Sequence, residues 1–83
     1  MYTIIYENAA LKQLDKLPQN IANRIRAKIN EFEENPRPHG CLKLTGFEAY
    51  RIRIGDYRVI YNIEDSILTI TVIKISHRRD VYE

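Results

Sequence analysis

The chemistry in this 83-residue chain sits on four arginines, a histidine and a tyrosine. Arg51 and Arg53 alternate with Ile52 and Ile54, Gly55-Asp56 follows, and Arg58 comes one residue after Tyr57. Side chains on a strand point alternately to opposite faces. With Gly55-Asp56 as a two-residue hairpin turn, Ile54 faces Tyr57, Arg53 faces Arg58, Ile52 faces Val59 and Tyr50 faces Tyr61. One face is then apolar and aromatic, and the other carries Arg51, Arg53 and Arg58. Guanidinium groups stay charged and grip phosphate through paired hydrogen bonds. Three on one open face form a track for a nucleic-acid backbone. The plainer alternative is a solvated strand face whose charges block edge aggregation. Like charges directly opposite each other destabilise a sheet, however, and the Arg53–Arg58 pairing points to an anion.

The second group follows Ile75: His77, Arg78, Arg79 and Tyr82 fall within six residues. Histidine titrates near neutrality, and neighbouring cations lower the pKa of a tyrosine. The tail can thus supply proton transfer beside the arginine face. On composition alone a frayed terminus is the favoured reading. Lys43 and Lys74, with Arg79, are candidate additional phosphate contacts, or simply strand-end charges in water. His39, between Pro38 and Gly40, fits a loop residue better than a catalyst. Some of Tyr2, Tyr6, Tyr50, Tyr57 and Tyr61 can stack bases, but their alternation with Ile and Val suits packing better. No carboxylate cluster, Gly-rich phosphate loop or His/Cys zinc spacing is present, so no metal or cofactor is expected. Phosphodiester chemistry on these residues would run on cations and proton transfer.

The elements that must hold these groups are set by periodicity. Met1 to Tyr6 reads as a strand with Tyr2, Ile4 and Tyr6 on one face. Asn8 is a candidate N-cap for a short helix through Leu17, with Leu11 and Leu14 inward. Pro18 punctuates, and Ile21, Ile25, Ile29 and Phe32 recur at helical spacing in a helix predicted over 19–35, ended by Pro36 and Pro38. Leu42 to Gly46 is a short approach into the sheet, and the cationic hairpin comes next. Glu64-Asp65-Ser66 turns the chain into a last strand from Ile67 to Ile75, apolar on both faces apart from Thr69, Thr71 and Lys74, as suits a central strand. The expected fold is α+β in the order β-α-α-β-β-β. An antiparallel pair of helices packs on one face of a roughly four-stranded, mainly antiparallel sheet, and the arginine face is left open.

Length and composition set the bounds. A chain this long makes one domain, 1–83, of modest stability. Net charge is only +2, but residues 37–83 hold eight Lys/Arg against six Asp/Glu, while residues 1–36 hold five of each. The single cysteine, Cys41, has no partner within the chain and no metal-ligand spacing. With no basic-then-apolar leader and no apolar run of spanning length, the expectation is a cytoplasmic protein outside the membrane.

Three stretches carry a family resemblance: Lys43-Leu44-Thr45-Gly46, Tyr50 to Tyr61, and Ile73-Lys74-Ile75-Ser76-His77-Arg78-Arg79-Asp80-Val81-Tyr82. They resemble the RelE/ParE toxin superfamily, and its RelE branch best. The resemblance implies a toxin of a type II toxin–antitoxin pair that enters the ribosomal A site and cuts mRNA. In that chemistry the RNA's own 2′-hydroxyl attacks the adjacent phosphate without a metal, leaving a 2′,3′-cyclic phosphate and a 5′-hydroxyl. The family's basic residues on the paired strands match Arg51, Arg53 and Arg58. Its basic residue at the end of the last strand matches Arg78, and the following tyrosine matches Tyr82. Relatives often carry lysine at one or both of the first two positions. Arginine cannot serve as a base, so Tyr82, or His77, is left for proton transfer. Implied partners are a cognate antitoxin, mRNA in the A site and ribosomal RNA. Two rival functions are a ParE-like inhibitor of DNA gyrase on the same fold, and a non-catalytic nucleic-acid-binding module.

Overall fold

The computed structural model describes residues 1–46 and 48–79. Tyr82 lies outside them. The chain runs β1 (Thr3–Tyr6), α1 (Asn8–Asp15), α2 (Gln19–Asn30), a 3₁₀ turn (Glu31–Glu33), β2 (Leu42–Lys43), β3 (Tyr50–Ile54), β4 (Tyr57–Glu64), a second 3₁₀ turn (Asp65–Ile67) and β5 (Thr69–His77). The sheet has five strands in the order β1-β5-β4-β3-β2. It is one strand larger than expected because Leu42 and Lys43 pair antiparallel with Arg51 and Tyr50. Strand β1 runs parallel to β5, and all other pairings are antiparallel.

Helices and sheet bury their apolar stripes against each other. Ala10 and Leu14 come from α1, Ala22, Ile25 and Ile29 from α2, and Phe32 from the 3₁₀ turn. They meet Ile52, Ile54, Val59, Tyr61, Ile70, Val72 and Ile75 of the sheet. Phe32 stacks on Tyr61 with ring centroids 4.5 Å apart. The Tyr61 hydroxyl donates to the Pro36 carbonyl at 2.8 Å, which anchors the loop after the helices. Burial raises the Tyr61 pKa, so the phenol stays neutral and keeps donating. Helix α1 is entered from Glu7 rather than capped by Asn8. Helix α2 tightens into the 3₁₀ turn after Asn30, short of the expected end at Asn35. The last strand starts at Thr69 because Asp65–Ile67 form a 3₁₀ turn closed by Leu68, whose φ is 48°.

One irregularity in β5 decides which face its last side chains reach. Ile60 pairs with Lys74, but Tyr61 pairs with Val72, so Ile73 is an extra residue in a β-bulge. The buried side chains step Ile70, Val72, Ile75 instead of keeping strict alternation. Without the extra residue, Lys74 would turn toward the helices and Ile75 away from them. The Ile75 amide donates to the side-chain oxygen Oε1 of Gln13 on α1 at 2.6 Å. A helix side chain thus takes up a backbone donor just past the bulge, where Ile75 is back in register with Val59.

A second, longer-range device closes the far end of the sheet. Arg37 donates two hydrogen bonds to Asp65, at 2.8 and 3.3 Å, and one to the Tyr50 hydroxyl at 3.1 Å. The Tyr2 hydroxyl donates to the same Asp65 carboxylate at 2.7 Å. These contacts tie together the chain start, the loop after the helices and the β4–β5 turn. The Arg37 guanidinium, then the Tyr2 hydroxyl, hold the Asp65 carboxyl below its ordinary pKa.

Candidate nucleic-acid interface

The hairpin register is the one the turn chemistry requires. Ile54 pairs with Tyr57, Arg53 with Arg58, Ile52 with Val59 and Tyr50 with Tyr61. Gly55 takes φ 60°, the left-handed conformation that a glycine adopts without steric cost at the first turn position. Because Ile52, Ile54, Val59 and Tyr61 are buried against the helices, Arg51, Arg53 and Arg58 are turned to the opposite face. Arg53 is exposed, while Arg51 and Arg58 are half-buried. Arg53 Nε donates to the Gly55 carbonyl at 2.9 Å, which fixes its guanidinium at the turn.

The tail returns to the same turn. The backbone N–H of Arg78 donates to the Asp56 carbonyl at 2.8 Å, and its Nε lies 3.8 Å from the Asp56 carboxylate. The Arg78 side chain is 52% exposed, so this ion pair lies at the surface. Ser76 pairs with Arg58, and Lys74 with Ile60, on the arginine face. Arg51, Arg53, Arg58, Lys74 and Arg78 are thereby gathered on one open surface and its rim at the Gly55-Asp56 turn. In such a place negative charge developing on a phosphate would be stabilised by cations already in position.

Other candidates separate from this group. His77 pairs with Tyr57, whose neighbours in the alternation face the helices. The two rings meet edge to face with centroids 5.1 Å apart. His77 Nδ1 also accepts a hydrogen bond from the Arg79 backbone N–H at 3.2 Å. His77 is therefore on the helix side of β5, and the bulge is what puts it there. Lys43 pairs with Tyr50, on the face away from Arg51, at the sheet edge. Arg79 is exposed just past β5. Tyr2, Tyr6, Tyr50, Tyr57 and Tyr61 all belong to the helix-side core or pack against it, so none offers a stacking platform on the arginine face. Among the described residues no three His, Cys, Asp or Glu side chains gather as a metal-binding group. No helix among those residues is long and apolar enough to cross a membrane.

Sequence reasoning misses Asp56 and Ser76 as members of the site. Asp56 appears in the sequence only as a turn residue, and its role depends on β5 returning beside the turn. Ser76 is invisible until the bulge sets its face.

Comparison with known proteins then gives the chain its relatives. A family model described as the ParE toxin of type II toxin–antitoxin systems matches residues 4–82. Toxin RelG of Mycobacterium tuberculosis is 31% identical over 87 residues, covering 98% of this chain and 95% of RelG. The mRNA interferase toxin RelE of Escherichia coli K12 is 29% identical over 80 residues, covering 93% of this chain and 83% of that protein. Among solved structures, the intact E. coli RelBE toxin–antitoxin complex contains a chain that superposes with a TM-score of 0.80 at 28% identity, covering 93% of this chain and 96% of that one.

Proposed function

The chain belongs to the ParE toxin family of type II toxin–antitoxin systems, and we propose that its own activity is metal-independent cleavage of mRNA in the ribosomal A site. The observation that carries this reading is the convergence of Arg53, Arg58 and Arg78 on one open face around the Gly55-Asp56 turn. The likeness to a relative named as an mRNA interferase supports it. Under this reading the mRNA backbone lies over the arginine face. Its 2′-oxygen bonds to the neighbouring phosphorus, the phosphorus–O5′ bond breaks, and the 2′-hydroxyl proton passes to a base while O5′ gains one. Arg51, Arg53, Arg58 and Arg78 stabilise the extra negative charge of the pentacoordinate transition state. Lys74 and Arg79 hold flanking phosphate. None of the guanidiniums can take the proton. His77 shares a face with Tyr57, which supports assigning proton transfer to Tyr82.

The same likeness supports a cognate antitoxin as the protein partner, since the matching E. coli chain comes from a toxin–antitoxin complex. Ribosomal RNA around the A site is the second partner. A gyrase-directed activity is the alternative, favoured by the ParE description of the family. A translation-coupled cleavage assay run beside a gyrase supercoiling assay separates the two. Wild-type protein cuts mRNA and leaves supercoiling unaffected, and Arg78→Ala loses cleavage while staying folded. Gyrase inhibition without mRNA cleavage reverses the assignment.

A further inference from the structure

Outside the arginine face, a groove of about 400 Å³ opens between α2 and the β3–β4 turn. Its polar walls are Arg24, Lys28, Glu31 and Arg53, and Gly55 forms part of its floor. Arg24 and Lys28 stand one helical turn apart on α2, so they share a face. The Arg24 guanidinium lies over the turn, with Nη1 only 3.4 Å from where a Cβ on Gly55 would stand. Arg53 reaches the same glycine from the other side through its bond to the Gly55 carbonyl. Two guanidinium side chains thus close on one residue, one from each face of the sheet. The groove is the arginine face continued around the hairpin tip.

The charge in the groove is not self-compensated. Among the described residues Glu31 is the only acid lining it, and Lys28 Nζ lies 3.5 Å from its carboxylate. Arg24, Lys28 and Arg53 set against Glu31 leave a formal +2. Asp56 lines an adjoining cavity with Arg24, but its carboxylate is paired with Arg78. Among the described residues Arg24 has no ion pair of its own, and like charges brought to one glycine repel unless an anion lies between them.

We propose that this groove binds a second RNA phosphate, further along the backbone than the phosphate on the arginine face, with Arg24 and Lys28 as its ligands. The proposal rests on the reading that RNA crosses the arginine face. A strand leaving that face past Arg53 meets Arg24 next, and a single-stranded backbone held by spaced cations needs no base readout. The phosphate can belong to the mRNA or to ribosomal RNA.

The test measures binding of the full chain to two probes across a salt series: a 2′-O-methylated single-stranded RNA, which cannot be cut by its own hydroxyl, and vacant ribosomes. Arg24→Gln/Lys28→Gln is compared with the charge-preserving Arg24→Lys/Lys28→Arg. The neutral double variant weakens binding by about three- to tenfold near physiological salt and flattens the log–log salt slope by about 0.7 for each phosphate it no longer neutralises. The charge-preserving variant binds like wild type, and both melt with it. Loss on the single-stranded probe assigns the phosphate to mRNA, and loss confined to ribosomes assigns it to ribosomal RNA. Unchanged affinity and slope on both probes overturns the groove, as does a charge-preserving variant that binds no better than the neutral one. The two readings fail separately. A wild type that cuts mRNA while the neutral variant binds normally loses only the groove. A wild type that binds RNA through Arg24 yet cuts nothing loses only the nuclease.

Discussion

Removing the Gln13 side chain should loosen the bulge that organises the tail end of the site. In Gln13→Ala the Ile75 amide loses the acceptor it holds at 2.6 Å. Leaving a buried donor unpaired costs about 1–3 kcal/mol. The bond is only part-buried, so water recovers some of this and about 1–2 kcal/mol is the expected loss. A domain of this size is stable by about 4–12 kcal/mol, so the variant stays folded. For 60–100 residues each kcal/mol moves Tm by about 4–8 °C, giving a fall of ~5–15 °C. Gln13→Glu keeps an acceptor at neutral pH and recovers most of the stability. Urea unfolding should show a lower midpoint with an unchanged slope, and hydrogen exchange should show the Ile75 amide released preferentially. Cleavage should fall as well, because the bulge sets Ser76 opposite Arg58 and brings Arg78 to the turn. A Gln13→Ala protein that melts with wild type and protects Ile75 equally would refute the claim that this hydrogen bond holds the bulge.

Arg53→Thr relieves the like-charge pairing with Arg58. It should leave stability unchanged or raise it by about 0.2–1 kcal/mol while weakening RNA binding, as read by thermal melts and a binding titration on the same preparation. Asp65 has a depressed folded pKa, so its contribution is present above its unfolded pKa and lost as pH falls through the folded one. Unfolding midpoints of wild type should therefore drop below about pH 4, and those of Asp65→Asn should drop less steeply over that range. Phe32→Ala removes a fully buried ring stacked on Tyr61 and should cost about 3–5 kcal/mol in chemical denaturation, a large share of the total.

How much of the fold is legible in the residues depends on the range of the interactions. The hairpin is legible with its full register because glycine chemistry at the turn and strict alternation on both strands are local signals. The core stripe of α2 is legible as Ile25, Ile29 and Phe32, although Ala22 is buried in place of half-buried Ile21. Strand β2 is only two residues long and is too short to show a period. The bulge leaves a trace, the step from Val72 to Ile75 across Lys74, but an apolar run on both faces conceals it. That step moves His77 away from the arginine face. Arg37 carries no local signal at all, because its partner Asp65 is 28 positions away and joins it only once the fold has formed. The convergence of Arg24 and Arg53 on Gly55 is likewise tertiary, since helix and hairpin are distant in sequence.

The proposed function requires the arginine face to position an mRNA phosphate for attack by its own 2′-hydroxyl. Mapping the chemistry of mRNA ends after induction, in wild type and in folded Arg58→Ala, tests it most directly. The expected result is 2′,3′-cyclic phosphate and 5′-hydroxyl ends within translated codons in wild type, and intact message with Arg58→Ala. Intact message in wild type, 5′-phosphate ends, or undiminished cleavage by the folded variant would contradict it.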